Sequence, residues 1–205
     1  DDNARAFILA VLLSELGEEP EHVRTLATTY AAFLHHAFDA KTKRFHNHLS
    51  FDRRWLDDQG SEDCQARALW ALGVGVGRSP YRSFQIMAGQ LFALALPALI
   101  EFTSPRAWAF GLIGIHEYLR RLSGDSLVNQ TRETLTSRLM ELFERTAHPD
   151  WCWFEGELSY DNAKLAHALI LSGRATGQQA VFERGLQTLR WLTEVQMSEK
   201  GHFRP

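Results

Sequence analysis

Apolar residues along this chain recur at helical rather than alternating spacing. The pattern predicts helices at about 2–16, 20–38, 62–76, 80–101, 105–122, 126–146, 160–174 and 179–197. No stretch alternates over strand length, so sheet content is expected to be close to nil. The helices fall into two kinds. The odd ones are apolar nearly all round, as in Phe7 to Leu13, Leu69 to Val76, Phe110 to Ile115 and Leu165 to Leu171. Such helices must be covered on more than one side. The even ones mostly carry a charged face, as in Ser126 to Thr146 with Arg132, Glu133, Arg138 and Glu141. Inner helices paired with outer helices predict an all-α array of about four helical hairpins, an α/α toroid or an open arc.

The starts of the odd helices repeat. Asp2-Asn3-Ala4-Arg5-Ala6 opens the first and Asp63-Cys64-Gln65-Ala66-Arg67-Ala68 the third. Pro105-Arg106-Ala107-Trp108-Ala109 opens the fifth and Asp161-Asn162-Ala163-Lys164-Leu165-Ala166 the seventh. Ser61, Ser104 and Ser159 are placed to cap the third, fifth and seventh helices. Acidic groups in a first turn are stabilised by the helix dipole, so part of this pattern follows from helix physics alone.

In such an array the inner helices run the same way and their N-terminal ends share one face. The two longest loops, 39–61 and 148–159, arrive at that face, which marks it as the working one. The first loop carries His46, His48, Trp55 and Asp57; the second carries Trp151, Trp153, Glu155 and Glu157, with Tyr160 beyond it. Aromatic rings stack on the apolar faces of sugars, and carboxylates and amides bind hydroxyls. The expected saccharide-binding residues are Trp55, Arg67, Arg106, Trp108, Trp151, Trp153, Tyr160, Asn162 and His202. Glycoside hydrolysis needs two carboxylates in different environments. Glu155 follows Trp151-Cys152-Trp153-Phe154, an apolar setting that suits a general acid, with Asp63 or Asp161 as the ionised partner. The competing expectations are caps for Asp63 and Asp161 and an arginine partner for Glu155. Arg5, Arg67 and Lys164 share one register, and the alternatives for them are an anionic or hydroxyl-rich ligand and, favoured, ion pairing with Asp63 or Asp161 of the next repeat.

Charge and composition narrow the classes. Net charge is -3 with 23% charged residues mixed along the chain, which argues against nucleic acid as a partner. Cys64 and Cys152 stand far apart in no metal spacing and read as two buried thiols in a reducing, cytoplasmic setting, with a disulfide between them as the alternative. His46-x-His48 lacks an evident third ligand, so no metal is expected. No cofactor is expected either, since no phosphate loop, dinucleotide fingerprint or serine-hydrolase elbow is present. The most apolar stretch, Phe84 to Phe102, contains Gln85, Gln90, Pro97 and Glu101 and is expected to be a buried helix, with no membrane as partner.

Ser61-Glu62-Asp63-Cys64-Gln65-Ala66-Arg67-Ala68-Leu69-Trp70-Ala71-Leu72-Gly73 resembles an inner-helix start of the six-hairpin glycosidase-like superfamily. Ser104 to Ala109, Trp153-Phe154-Glu155 and Tyr160 to Ala163 do so too. The combination is similar to bacterial helical domains associated with glycosyltransferases, and more distantly to N-acylglucosamine 2-epimerase-like toroids. The resemblance implies a carbohydrate-active, glycoside hydrolase-like domain. The alternatives are a sugar epimerase or isomerase, with His46, His48 or His202 as base, and a non-catalytic saccharide-binding or protein-interaction module. Toroids of that superfamily have six hairpins against about four here. The expectation is therefore a longer toroid, an open arc, or two copies that close on each other, with Gly201 to Pro205 leading toward another inner helix.

Overall fold

The computed structural model describes residues 1–17 and 20–204; Pro205 lies outside them. The fold is all-α. The helices are α1 (Asp2–Leu16), α2 (Pro20–Ala37), α3 (Glu62–Gly77), α4 (Arg82–Ala95), α5 (Pro105–Leu119), α6 (Ser126–Thr146), α7 (Ala163–Thr176) and α8 (Gln179–Val195). A 3-10 segment, Leu96–Glu101, continues α4. One short antiparallel pair, β1 (Phe38–Asp39) with β2 (Arg44–Phe45), sets Phe38 opposite Phe45 at the base of the long loop.

Each odd helix packs against the even helix that follows it. The odd helices also pack on one another in the order α1, α3, α5, α7. The result is four hairpins in sequence, with the apolar helices side by side. Burial follows the predicted division in α3 and α5, whereas α1 and α7, at the ends of the row, bury one face only. In α3 every residue from Cys64 to Val76 is buried except Trp70, and α5 is buried from Arg106 to Leu119 except His116. The outer α6 buries only a stripe: Val128, Thr131, Leu135, Thr136, Leu139 and Phe143.

The closest approach in this row is between α3 and α5, and small residues make it. A Cβ at Gly73 would stand 2.1 Å from the carbonyl oxygen of Gly114, and one at Gly114 would stand 2.8 Å from that of Leu69. Backbone therefore meets backbone where any side chain would force the helices apart. That contact sets the distance between the helix starts that carry the candidate site.

The start of α3 is fixed to both neighbours. Ser61 Oγ accepts from Cys64 N at 3.2 Å, and Ser104 Oγ caps α5 by accepting from Ala107 N at 3.3 Å. Glu62 ties these two starts together, its Oε2 accepting from the backbone N–H groups of Thr103 (3.0 Å) and Ser104 (2.7 Å). Gln65 is buried and pins the long loop to α3: its amide accepts from Phe45 N at 2.8 Å and donates to Phe45 O at 2.7 Å. A buried amide with both ends paired contributes stability rather than costing it.

Two helix ends differ from the expectation. The segment expected as one helix over 80–101 tightens to 3-10 geometry at Leu96, because Pro97 has no N–H to continue the α-helical ladder. This apolar stretch, Arg82–Glu101, is long and apolar enough to cross a membrane by length and composition. Here Leu91, Phe92, Ala95, Leu96 and Leu99 are buried against α3, α5 and α6. The second difference is α7, expected from 160 and observed from Ala163. Asp161 has φ +48, the left-handed region, so the chain turns sharply there before the helix begins. Ser159 consequently makes no cap; its backbone N–H donates to Asn162 Oδ1 at 3.2 Å.

Candidate functional site

The helix starts of α1, α3 and α7 bring a charged cluster together. Arg67, one turn into α3, is the centre of it. Its Nη2 is hydrogen-bonded to Asp161 Oδ2 and lies 3.8 Å from Asp63 Oδ2, and its Nε lies 3.7 Å from Asp1 Oδ2. The guanidinium lies over the Phe110 ring, 4.1 Å from the centroid. Its side chain is only 8% exposed, yet Nε has no hydrogen-bond partner. Three carboxylates surround one buried cation and leave an acidic, acceptor-rich rim.

Tyr160 bridges this rim. Its hydroxyl donates to Asp63 Oδ2 at 2.8 Å. Burial, and then the hydrogen bond to Asp63 and its charge, push the phenol up to about 12. It is therefore a neutral donor across the ordinary pH range. Half of Tyr160 is exposed, so its ring presents an aromatic surface beside the acids. Deeper on the same side, Trp70 and Phe110 stack 6.0 Å apart within 8° of parallel. Lys164 Nζ sits 4.3 Å above the Trp70 ring. Burial, with Arg67 nearby, pulls the Lys164 amine below its ordinary value against the opposing charge of Asp161.

A polar cleft of about 410 Å³ adjoins the cluster through Asp1. Arg5, His46, Asn47, His48 and Cys64 contribute to its wall. The long loop is organised there by Asp57, whose carboxylate accepts from the N–H groups of Asn47 (2.8 Å) and His48 (3.0 Å). Burial raises the Asp57 carboxyl, but these two N–H bonds and the nearby histidines outweigh it, and the net shift is downward. His46 is fixed by a 2.8 Å contact from Nδ1 to Asp57 O and by stacking on Trp55, centroids 4.8 Å apart.

Of the residues expected on this face, Asp63, Asp161, Arg67 and Tyr160 converge. The others go elsewhere. Glu155 does not sit in an apolar setting; Arg106 Nη1 donates to both of its oxygens, at 2.8 and 2.6 Å. Arg106 is itself 4% exposed and saturated: Nη2 donates to Asn162 Oδ1 at 3.0 Å and Nε to Tyr160 O. Arg106 and the buried Asn162 therefore hold the 155–162 segment in place and are not open to a ligand. Trp153 is fully buried, stacked 5.7 Å from Trp191 of α8, and Trp151 meets Trp191 edge-on at 4.9 Å. Trp108 is buried with Nε1 donating to Phe102 O at 2.8 Å. Trp55 packs on Phe33, His36 and His46. The expected single cleft of Trp55, Trp151 and Trp153 is not formed. The Trp-rich loop packs instead on Trp191 of α8, with Trp153 fully buried and Trp151 partly so. His202 is exposed in the turn after α8, its N–H donating to Ser198 Oγ at 2.9 Å.

No family model, curated protein or solved structure matches the chain.

Among the described residues no group of three His, Cys, Asp or Glu side chains is arranged to hold a metal ion. Three contributors escaped the sequence reading. Gln65 lies in the repeated start and Glu62 immediately before it, and neither residue type announces its partner in another segment. Trp70 was read only as part of an apolar run, although it is the single incompletely buried residue between Cys64 and Val76.

Proposed function

We propose that the face formed by the starts of α1, α3 and α7 binds a saccharide. The observation that carries the reading is the convergence of Asp63, Tyr160, Arg67 and Asp161 beside a polar cleft of about 410 Å³. Carboxylate acceptors bind vicinal hydroxyls, the Tyr160 hydroxyl donates its proton to Asp63 and leaves its oxygen as a further acceptor, and its ring offers an apolar surface to a pyranose face. The resemblance of the helix starts to six-hairpin glycosidase-like proteins supports the same ligand class.

In the hydrolase-like form of this reading Asp63 and Asp161 are the carboxylates that act on the ligand. Asp63 is 20% exposed and Asp161 35% exposed in their side chains, so both are reachable yet held by Arg67. Glu155 acts through position only, as the counter-ion of Arg106. The clamp on Glu155 favours a second reading, a saccharide-binding module without turnover, because it removes the general acid that hydrolysis needs. A saccharide-array screen on the full chain, followed by product analysis on each hit, separates the two. Binding with turnover that Asp63→Asn abolishes supports the hydrolase-like form, binding without turnover supports the module, and no binding by the folded chain refutes both.

A further inference from the structure

At the other end of the hairpins, α5, α6 and α7 leave a second cavity of about 280 Å³. His116 and Arg120 from the end of α5, Ser123 from the following turn, and Asn129 and Arg132 from α6 contribute to its wall. The negative end of α5 accounts for a histidine and an arginine at that position. It does not account for Arg132, which lies in the N-terminal third of α6, the half of that helix with the positive dipole end.

Arg132 is also poorly satisfied. Nη2 donates to the neutral Asn129 Oδ1 at 2.7 Å, while Nε is buried with no partner. Among the described residues no carboxylate oxygen lies within 4.0 Å of its guanidinium. Arg120 is only partly neutralised, because it shares its acid with Arg78. Its nearest acid, Glu117, stands 3.6 Å away and is already held by Arg78 through bonds of 2.7 and 3.1 Å. Burial pulls the Arg132 guanidinium below its ordinary value, with Glu133 opposing. Burial likewise pulls the His116 imidazole down, helped by Arg120, Arg132 and Arg78 and opposed by Glu117. A partly buried cation without a counter-charge is costly unless an anion joins it.

We propose that this cavity binds the phosphate group of a small molecule, with Arg132 and Arg120 donating charge-assisted N–H bonds to its oxygens. Two guanidiniums match a doubly charged, multi-oxygen anion better than they match a single carboxylate. The volume admits the phosphate and a small organic body but not a large ligand. The site is separate from the saccharide face and stands whether or not that face binds sugar.

The test is calorimetric titration of the full chain with inorganic phosphate at low salt, beside Arg132→Gln, Arg120→Gln and Asp63→Asn. The expected result is one phosphate per chain, weakened about tenfold or more by Arg132→Gln. Arg120→Gln weakens it less, and Asp63→Asn leaves it unchanged. Arg120 is 43% exposed in its side chain, so its substitution keeps the test decisive if Arg132→Gln does not fold. Absence of phosphate binding by the wild-type chain overturns the proposal, and so does binding that neither arginine substitution weakens.

Discussion

The two ends of the hairpin array handle charge in opposite ways. At the helix starts, Asp63 and Asp161 sit where the dipole favours anions, and both are drawn to one buried arginine, Arg67, which shares α3 with Asp63 and reaches Asp161 from two hairpins away. At the far end, His116 and Arg120 sit where the dipole favours cations, and Arg132 faces them without an acid of its own. The first arrangement closes on itself and leaves a rim of acceptors with one neutral phenol. The second leaves positive charge facing a cavity. What distinguishes the ends is where the counter-charge comes from: from within the array at the starts, and from outside the chain at the far end under the phosphate proposal.

The comparison breaks most severely if the starts lose their internal pairing. Arg106→Ala leaves the Glu155 carboxylate without its partner, removes the donor to Tyr160 O and leaves Asn162 Oδ1 with the Ser159 N–H alone. It is expected to cost about 3 kcal/mol of unfolding free energy, measured by urea denaturation. A loss under about 1 kcal/mol would show that the 155–162 segment is held by Trp151 and Trp153 on α8 instead. Gly73→Ala tests the spacing of the starts. The new Cβ would meet the Gly114 carbonyl, and a cost of about 1–3 kcal/mol is expected on the same scale. Tyr160→Phe removes the donor to Asp63 while keeping the ring. It is expected to weaken saccharide binding several-fold, about 1 kcal/mol, with little change in stability, because the site is half exposed.

The smallest effect belongs to the far end. His116 is held below its ordinary value in the fold, so the unfolded chain binds protons first as pH falls. Its contribution to stability is complete above the unfolded value of about 6.5 and is lost as pH drops from there toward the folded value. Burial first, and then Glu117 and Arg120 on α5, Arg132 on α6 and Arg78 at the end of α3, set this response, and His167 on α7, held down by burial and by Lys164 and His116, titrates beside it. Thermal melts from pH 7 to pH 5 are expected to fall less steeply in His116→Gln than in the wild-type chain. Saturating phosphate is expected to reduce the same slope by stabilising the protonated ring.

Much of this was readable in local terms. The helical periods, the Ser61 and Ser104 caps and the repeated starts are short-range features, and the fold reproduces them because short-range chemistry decides them. Arg67 was expected to pair with an acid of the next repeat, and it reaches Asp161 two hairpins away. The losses are tertiary. Trp151 and Trp153 looked like ligand platforms because they lie in a polar loop, but nothing local shows that Trp191 of α8 is their partner. Glu155 looked apolar because its sequence neighbours are aromatic, while its neighbour in space is Arg106. The delayed start of α7 turns on one positive φ at Asp161, a conformation an aspartate tolerates but does not announce. Arg132 gave no signal at all, since a charged residue on an outer helix is ordinary until its surroundings are known.

The most direct test of the saccharide face is titration of the best array hit against the wild-type chain, Asp63→Asn and Arg132→Gln. Binding that Asp63→Asn weakens about tenfold or more, and that Arg132→Gln leaves intact, is the predicted result. Equal binding by the wild-type chain and Asp63→Asn, or none by the folded wild-type chain, would contradict it.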